Sequence, residues 1–204
     1  MAINLNKIKE YDFVVAVDAS GSMSEKDVKS GFFGTTTRWK AAEESAVKFS
    51  KELEKISPGG IGLVVFGGYG AKSYSNVGAA GVEKAFKENY PGGGTPLAEG
   101  LASSIQLLTD SRKKKFVMVF TDGVPNNRNA AAQIIINQAN SQATDDEFTF
   151  LFVQVGEDAS ATTYLRTLDD DLTAAKFDIV DAKTAKEAAA FSSTMELILH
   201  AIDD

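Results

Sequence analysis

The chain has 204 residues, 44% hydrophobic and 24% charged, which suits one globular domain and leaves little room for a second. Its 28 acidic and 21 basic residues give a formal net charge of -7, a surface that repels nucleic acid and anionic membranes, so neither is expected as a partner. Cysteine is absent, which excludes disulfides and thiolate zinc sites. The single histidine, His200, lies in the apolar run ELILHAI, where an ordinary helical role is expected.

The opening MAINLNKIKEYDF has no basic region followed by a long apolar run, so no secretory signal is read there. No apolar stretch approaches the ~18 residues needed to span a bilayer. The expected address is the cytoplasm. Phe13 to Val17 is a short, fully apolar run, as expected of a strand buried on both faces. Residues Ser24 to Thr37 read as a loop, with Phe32-Phe33 either packing inward or forming an apolar rim. Trp39 to Ile56 is a helix with Trp39, Ala42, Ala46, Phe49, Leu53 and Ile56 on one stripe. Ile61 to Phe66 is a second buried strand, and Lys72 to Val77 an edge strand close enough behind Gly67–Gly70 for a hairpin. Gly81 to Tyr90 reads as a short crossover helix. Pro96 to Leu108 reads as a longer one, with Thr95 as N-cap and Pro96 at the first helical position. Two more strands, Phe116 to Thr121 and Phe148 to Val155, flank a helix over Asn129 to Ala143, and Ala159 to Leu168 is another helix. Phe177 to Val180 is a weaker strand, followed by a single helix over Thr184 to Ile202. The basic run Arg112 to Lys115 and the acidic run Asp169 to Asp171 read as solvated.

Alternation of buried strands with helices predicts one α/β doubly wound domain over residues 1–204, its mostly parallel sheet covered on both faces. In such folds ligands bind beyond the carboxyl ends of the strands, where strand order reverses. Three segments meet that description. The first strand runs into Asp18-Ala19-Ser20-Gly21-Ser22, FVMVFT runs into Asp122-Gly123, and Gly92-Gly93-Gly94-Thr95 leads into a helix. Taken singly, each has a plain explanation as a turn, a loop or a helix cap. The triple glycine lacks the Gly-Lys-Ser/Thr of a phosphate loop and is read as a hinge carrying Thr95. Taken jointly, two carboxylates and three hydroxyls make an oxygen-only donor set for a hard divalent cation, Mg²⁺ or Mn²⁺, with Ca²⁺ less suited. Two carboxylates balance that ion, which can then attract one more from outside.

The segments VAVDASGSM (Val15 to Met23), GGGTPLAEGL (Gly92 to Leu101) and MVFTDGVPN (Met118 to Asn126) resemble the von Willebrand factor A domain and the related integrin inserted domain. They correspond in order and spacing to the three parts of that family's metal-ion-dependent adhesion site, with none of its five residues replaced. The resemblance implies a six-stranded sheet with an antiparallel edge strand near Lys72 to Val77. It implies that Ser20 and Ser22 ligate the metal directly, and that Thr95 does so in the ligand-bound state. Asp18 and Asp122 would act through water or by accepting hydrogen bonds from the serines. It further implies a protein-binding module, with no enzymatic activity, that takes an Asp or Glu carboxylate from a partner and can transmit binding to its C-terminal helix; oligomeric state is left open, with monomer the default expectation. The kind it resembles is the stand-alone microbial member, encoded near stress-response and metal-resistance proteins or working with ATPase chaperones, and the sequence does not select among these. Two other readings stay open: a Mg²⁺-dependent phosphatase, which would need an acid where Ser20 stands, and a scaffold with a vestigial metal site.

Overall fold

The computed structural model describes residues 4–30, 34–56 and 58–203. In chain order the elements are α1 (Leu5–Ile8), β1 (Tyr11–Ala19), a 3₁₀ turn (Gly21–Ser24), β2 (Val28–Ser30), β3 (Gly34–Thr36), α2 (Arg38–Glu54), β4 (Ile61–Gly67) and β5 (Gly70–Val77). There follow α3 (Ala79–Glu88), α4 (Leu97–Leu107), β6 (Lys114–Thr121), α5 (Arg128–Ser141), β7 (Phe148–Gln154), α6 (Ala159–Asp170), β8 (Val180–Thr184), α7 (Ala185–Ala189) and α8 (Thr194–Asp203). Six strands form one sheet in the order β5-β4-β1-β6-β7-β8, parallel throughout except for β5 against β4. Strand order reverses at β1 and β6, so their carboxyl ends open onto the switch point where such folds bind ligands.

Alternation along β1 separates the two halves of the core. Tyr11, Phe13, Val15, Val17 and Ala19 face α1, α2, α3 and α8, whereas Val14 and Ala16 face α4, α5 and α6. Phe148, Phe150 and Phe152 fill the second half as a row of buried rings with centroids 4.7 and 6.4 Å apart. Each contributes roughly 1.5–3 kcal/mol by leaving water. Thr37 caps α2 by accepting from Lys40 N at 3.1 Å, and α2 buries Ala42, Ala46, Phe49 and Leu53. Among the described residues, no helix is long and apolar enough to cross a membrane.

Four local expectations need correction. The segment Ser24 to Thr37 starts at the last residue of the 3₁₀ turn and contains an antiparallel hairpin pairing Val28 with Thr36 and Ser30 with Gly34. Short polar strands carry little hydrophobic periodicity, so the hairpin leaves no pattern to read. The expectation for Phe32 and Phe33 falls outside the described residues. The last strand is Val180–Thr184, later than Phe177 to Val180, because its core-facing set is interrupted by Asp181 and Lys183, whose side chains pair at 2.6 Å. The C-terminal helix is two helices. Thr184 and Glu187 form a capping box that starts α7, and Ser193 Oγ accepts from Glu196 N at 3.2 Å where α8 begins. Asp169 is not solvated: its carboxylate accepts from Ala182 N at 3.2 Å, and burial, then Asp181, raises its pKa to about 6. The basic run is a set of surface ion pairs at the amino edge of the sheet, Lys113 with Asp12 and Lys114 with Glu10 and Asp146. His200 sits on α8, edge-on to Phe191, with Nδ1 3.6 Å from Asp181 Oδ2.

Helix α4 lies directly on β4. A methyl group at Gly100 would sit 2.5 Å from Cδ1 and 2.7 Å from Cγ of the fully buried Phe66. Gly100→Ala is therefore expected to destabilise the protein by about 1–3 kcal/mol, because overpacking outweighs the ~1 kcal/mol gain in helix propensity. Urea unfolding measures it, and a variant more stable than wild type would contradict the close packing.

Candidate metal centre

Asp18 continues the face of β1 that carries Val14 and Ala16, so the chain directs it inward, and it is fully buried. The parallel register that pairs Val17 with Phe120 sets it beside Thr121 on β6. Thr121 Oγ1 donates to Asp18 Oδ2 at 2.7 Å, and Ser20 N donates to Oδ1 at 2.7 Å. Burial, its largest influence, pushes the Asp18 pKa up to about 6. The Thr121 and Ser20 hydrogen bonds oppose that, and Asp122 adds to it.

The chain leaves β1 through an extended Ser20 and turns at once into the 3₁₀ segment, where Met23 packs into the core. That turn folds Ser22 back over Ser20, with their hydroxyl oxygens 3.1 Å apart. Ser22 Oγ donates to Asp122 Oδ1 at 2.9 Å across the switch point. Asp122 is 1% exposed at the end of β6. Four of the five expected residues thus form one chain of contacts.

Thr95 joins through the backbone. Gly21 N donates to Gly93 O at 3.0 Å, Gly92 N to Ala19 O at 2.8 Å, and Gly68 N to Gly92 O at 2.8 Å. Gly93 adopts φ +68°, and a Cβ there would fall 2.5 Å from Gly68 Cα, so only glycine fits. Thr95 N donates to Asn126 Oδ1 at 3.0 Å, and Asn126 N donates back to Thr95 O at 3.0 Å. Gly93 thus serves close backbone approach, Gly94 leaves room for the Asn126 side chain, and hydrogen bonds tie the loop to Ala19, Gly21 and Asn126. Thr95 is not the helix cap. α4 starts at Leu97, Pro96 occupies the cap position without a side-chain bond, and the Thr95 backbone is committed to Asn126.

The sequence reading overlooked Thr121, Asn126 and Arg38. Strand parity could have found Thr121, which faces the same way as Val117 and Val119. Arg38 also leaves a trace, as a cation at the first position of a helix, where the macrodipole disfavours it. Its Nη1 donates to Asp122 Oδ2 at 2.9 Å. Asn126 leaves none, because its role comes from a loop meeting another loop.

Among the described residues, no group of three or more His, Cys, Asp or Glu side chains gathers as a metal cage. The donors here are two buried carboxylates and neighbouring hydroxyls, all oxygen. Such a set fits a small hard cation that keeps several waters better than Ca²⁺, which takes more protein oxygens.

In metal-free protein, burial lifts the Asp18 pKa from the ordinary aspartate value of 3.8 to about 6. The stability tied to its neutral form is present below about pH 4 and is lost as pH rises through about 6. Asp18→Asn removes that loss. In chelator above pH 6 it is expected to exceed wild type by up to about 3 kcal/mol, and to converge with it near pH 4. Chemical unfolding from pH 4 to 8 checks this, and parallel curves would refute the burial effect.

The von Willebrand factor type A domain family matches residues 13–124. No curated protein matches the chain by sequence. Solved structures with the same fold include manganese-loaded TRAP protein of Plasmodium vivax. It is 16% identical with a TM-score of 0.61, and the match covers 89% of this chain and 72% of that one. The vWF domain of the type V pili tip protein Mfa5 from Porphyromonas gingivalis is 15% identical with a TM-score of 0.60, covering 94% and 96%. The pilus adhesin SpaC of Lactobacillus rhamnosus GG is 20% identical with a TM-score of 0.60; 93% of this chain matches only 30% of that one. At these identities the likeness is one of fold. The matched residues run from the start of β1 to just beyond Asp122 and span more than half of the sequence, so this chain belongs to the von Willebrand factor type A domain family.

Proposed function

We propose that the chain is a divalent-metal-dependent protein-binding module that takes a partner's Asp or Glu side chain at Asp18, Ser20, Ser22, Thr95 and Asp122. The observation that carries this reading is the oxygen-only platform at the switch point. Ser20 and Ser22 hydroxyls lie 3.1 Å apart, Ser22 is tied to Asp122 at 2.9 Å, and both carboxylates are buried. Ser20 and Ser22 would hold the ion, with Thr95 joining them. Asp18 would orient the Ser20 segment and Asp122 the Ser22 hydroxyl. When bound, Mg²⁺ or Mn²⁺ supplies an electrophilic position for an incoming carboxylate. The surrounding loops would supply the remaining contacts. Tyr69 (85% exposed) and Tyr90 (72%) flank the Gly92 loop, and exposed tyrosines suit a partner surface because they offer large rigid area with a polar tip. The residue two positions after Asp18 is Ser20, which cannot serve as the general acid of an aspartyl-phosphate mechanism, so the site favours binding over phosphoryl chemistry.

Titration calorimetry with Mg²⁺ and Mn²⁺ tests the metal. Wild type is expected to bind one ion, and the Ser20→Ala/Ser22→Ala double variant to bind it more than about tenfold more weakly. Affinity capture then tests the partner. Proteins retained in Mg²⁺ should be lost both in chelator and with Asp18→Ala. Thr95→Ala should weaken capture more than it weakens metal uptake. Wild type that takes up neither ion, and whose melting temperature does not move in millimolar metal, would overturn the reading in favour of a scaffold.

A further inference from the structure

Arg38 is the first residue of α2, and nothing in helix formation asks for a cation there. Its side chain is only 8% exposed, yet the guanidinium lies among three carboxylates. Nη1 donates to Asp122 Oδ2 at 2.9 Å. Nη2 donates to Asp27 Oδ2 at 2.6 Å and lies 2.9 Å from Glu25 Oε2, while Nε reaches both Asp27 oxygens at 3.1 Å. Arg38 N also donates to Glu25 O at 3.0 Å. Gly156 makes the space, since a Cβ there would fall 2.7 Å from Arg38 Nε. The three acids are not equivalent. Asp27 and Glu25 have side chains 42% and 59% exposed, so water screens them, but the Asp122 side chain is 0% exposed and faces the guanidinium unscreened.

Asp122 thus has one oxygen held by the Ser22 hydroxyl and the other by Arg38. Taking one partner from a buried ion pair leaves an uncompensated charge and is strongly destabilising, whereas taking both leaves none. We propose that Arg38 is the resident counter-cation of Asp122. It holds that carboxylate compensated and aimed at Ser22 when no metal is bound, so that metal occupancy governs partner binding and not folding. The proposal rests on the metal-site reading above. Asp18, Asp122, Asp27 and Glu25 carry four negative charges against the one positive charge of Arg38, and a divalent ion would offset two more. Arg38 thus acts on the site as a positioning residue, through Asp122.

A double-mutant cycle tests it. Wild type, Arg38→Met, Asp122→Asn and the double variant are melted in chelator and again in millimolar Mg²⁺ or Mn²⁺. In chelator, Arg38→Met is expected to lower the melting temperature by on the order of 10 °C. Adding Asp122→Asn should recover most of that loss, because no buried charge then lacks a partner. Metal should raise the melting temperature of Arg38→Met by several degrees more than that of wild type, since the ion replaces the lost charge. Should Arg38→Met not fold, Arg38→Gln, which removes the charge and keeps a hydrogen-bond donor, takes its place with a smaller loss and the same rescue. Equal destabilisation with Asp or Asn at position 122 would overturn the proposal and assign Arg38 to packing. Rescue by Asp122→Asn with no metal shift in any variant would instead overturn the metal-site reading, and with it the coupling proposed here.

Discussion

Asp18 and Asp122 end the two central strands and are 0% and 1% exposed. Two buried acids at adjacent strand ends would repel each other and the low-dielectric core, so each oxygen must be answered by a donor. Asp18 takes the Ser20 amide and the Thr121 hydroxyl, and Asp122 takes the Ser22 hydroxyl and the Arg38 guanidinium. These four bonds recruit β1, β6, the 3₁₀ turn and α2. The path of the chain around the switch point follows from the requirement to satisfy those four oxygens.

The loop bearing Thr95 answers to the same requirement at one remove. It reaches the site through backbone groups, Gly93 O on Gly21 and the Thr95 amide and carbonyl on Asn126. The second of those contacts comes from the segment just after Asp122. A change at either carboxylate therefore reaches Thr95 through a short covalent path and one hydrogen bond. At the opposite edge of the sheet, Lys113 and Lys114 pair with Asp12, Glu10 and Asp146. Those exposed pairs contribute little to stability. The two edges of one sheet thus differ in kind, with buried and fully answered charge at the carboxyl edge and screened charge at the amino edge.

The readable elements were those whose signal is local. FVVAV, IGLVVF and FVMVFT form strands because continuous apolar runs need cover on both faces, which only a central parallel strand receives. The unread elements depend on partners distant in sequence. The hairpin Val28–Ser30 with Gly34–Thr36 lacks an apolar face to announce it. The break between α7 and α8 lies in a run whose helical period continues, and a new cap at Ser193 divides it. At Thr95 the expected cap bond gave way to contacts with Asn126, thirty-one residues later in the chain. The candidate site was legible in composition and order, since Asp18, Ser20, Ser22, Thr95 and Asp122 are five hydroxyl or carboxylate residues at strand ends or on a loop entering a helix. Its supporting residues were not.

The sequence alone determined the class of fold, the carboxyl-edge location of the candidate site and the oxygen-only character of its side chains, because hydrophobic period and residue type are written directly in the chain. The tertiary structure alone decided how the carboxylates are held. The parallel register of β1 against β6 brings Thr121 to Asp18, and the start of α2 brings Arg38, eighty-four residues away from Asp122, to the one oxygen that Ser22 leaves open. Those pairings arise when two half-cores close on one sheet, and no local pattern encodes them.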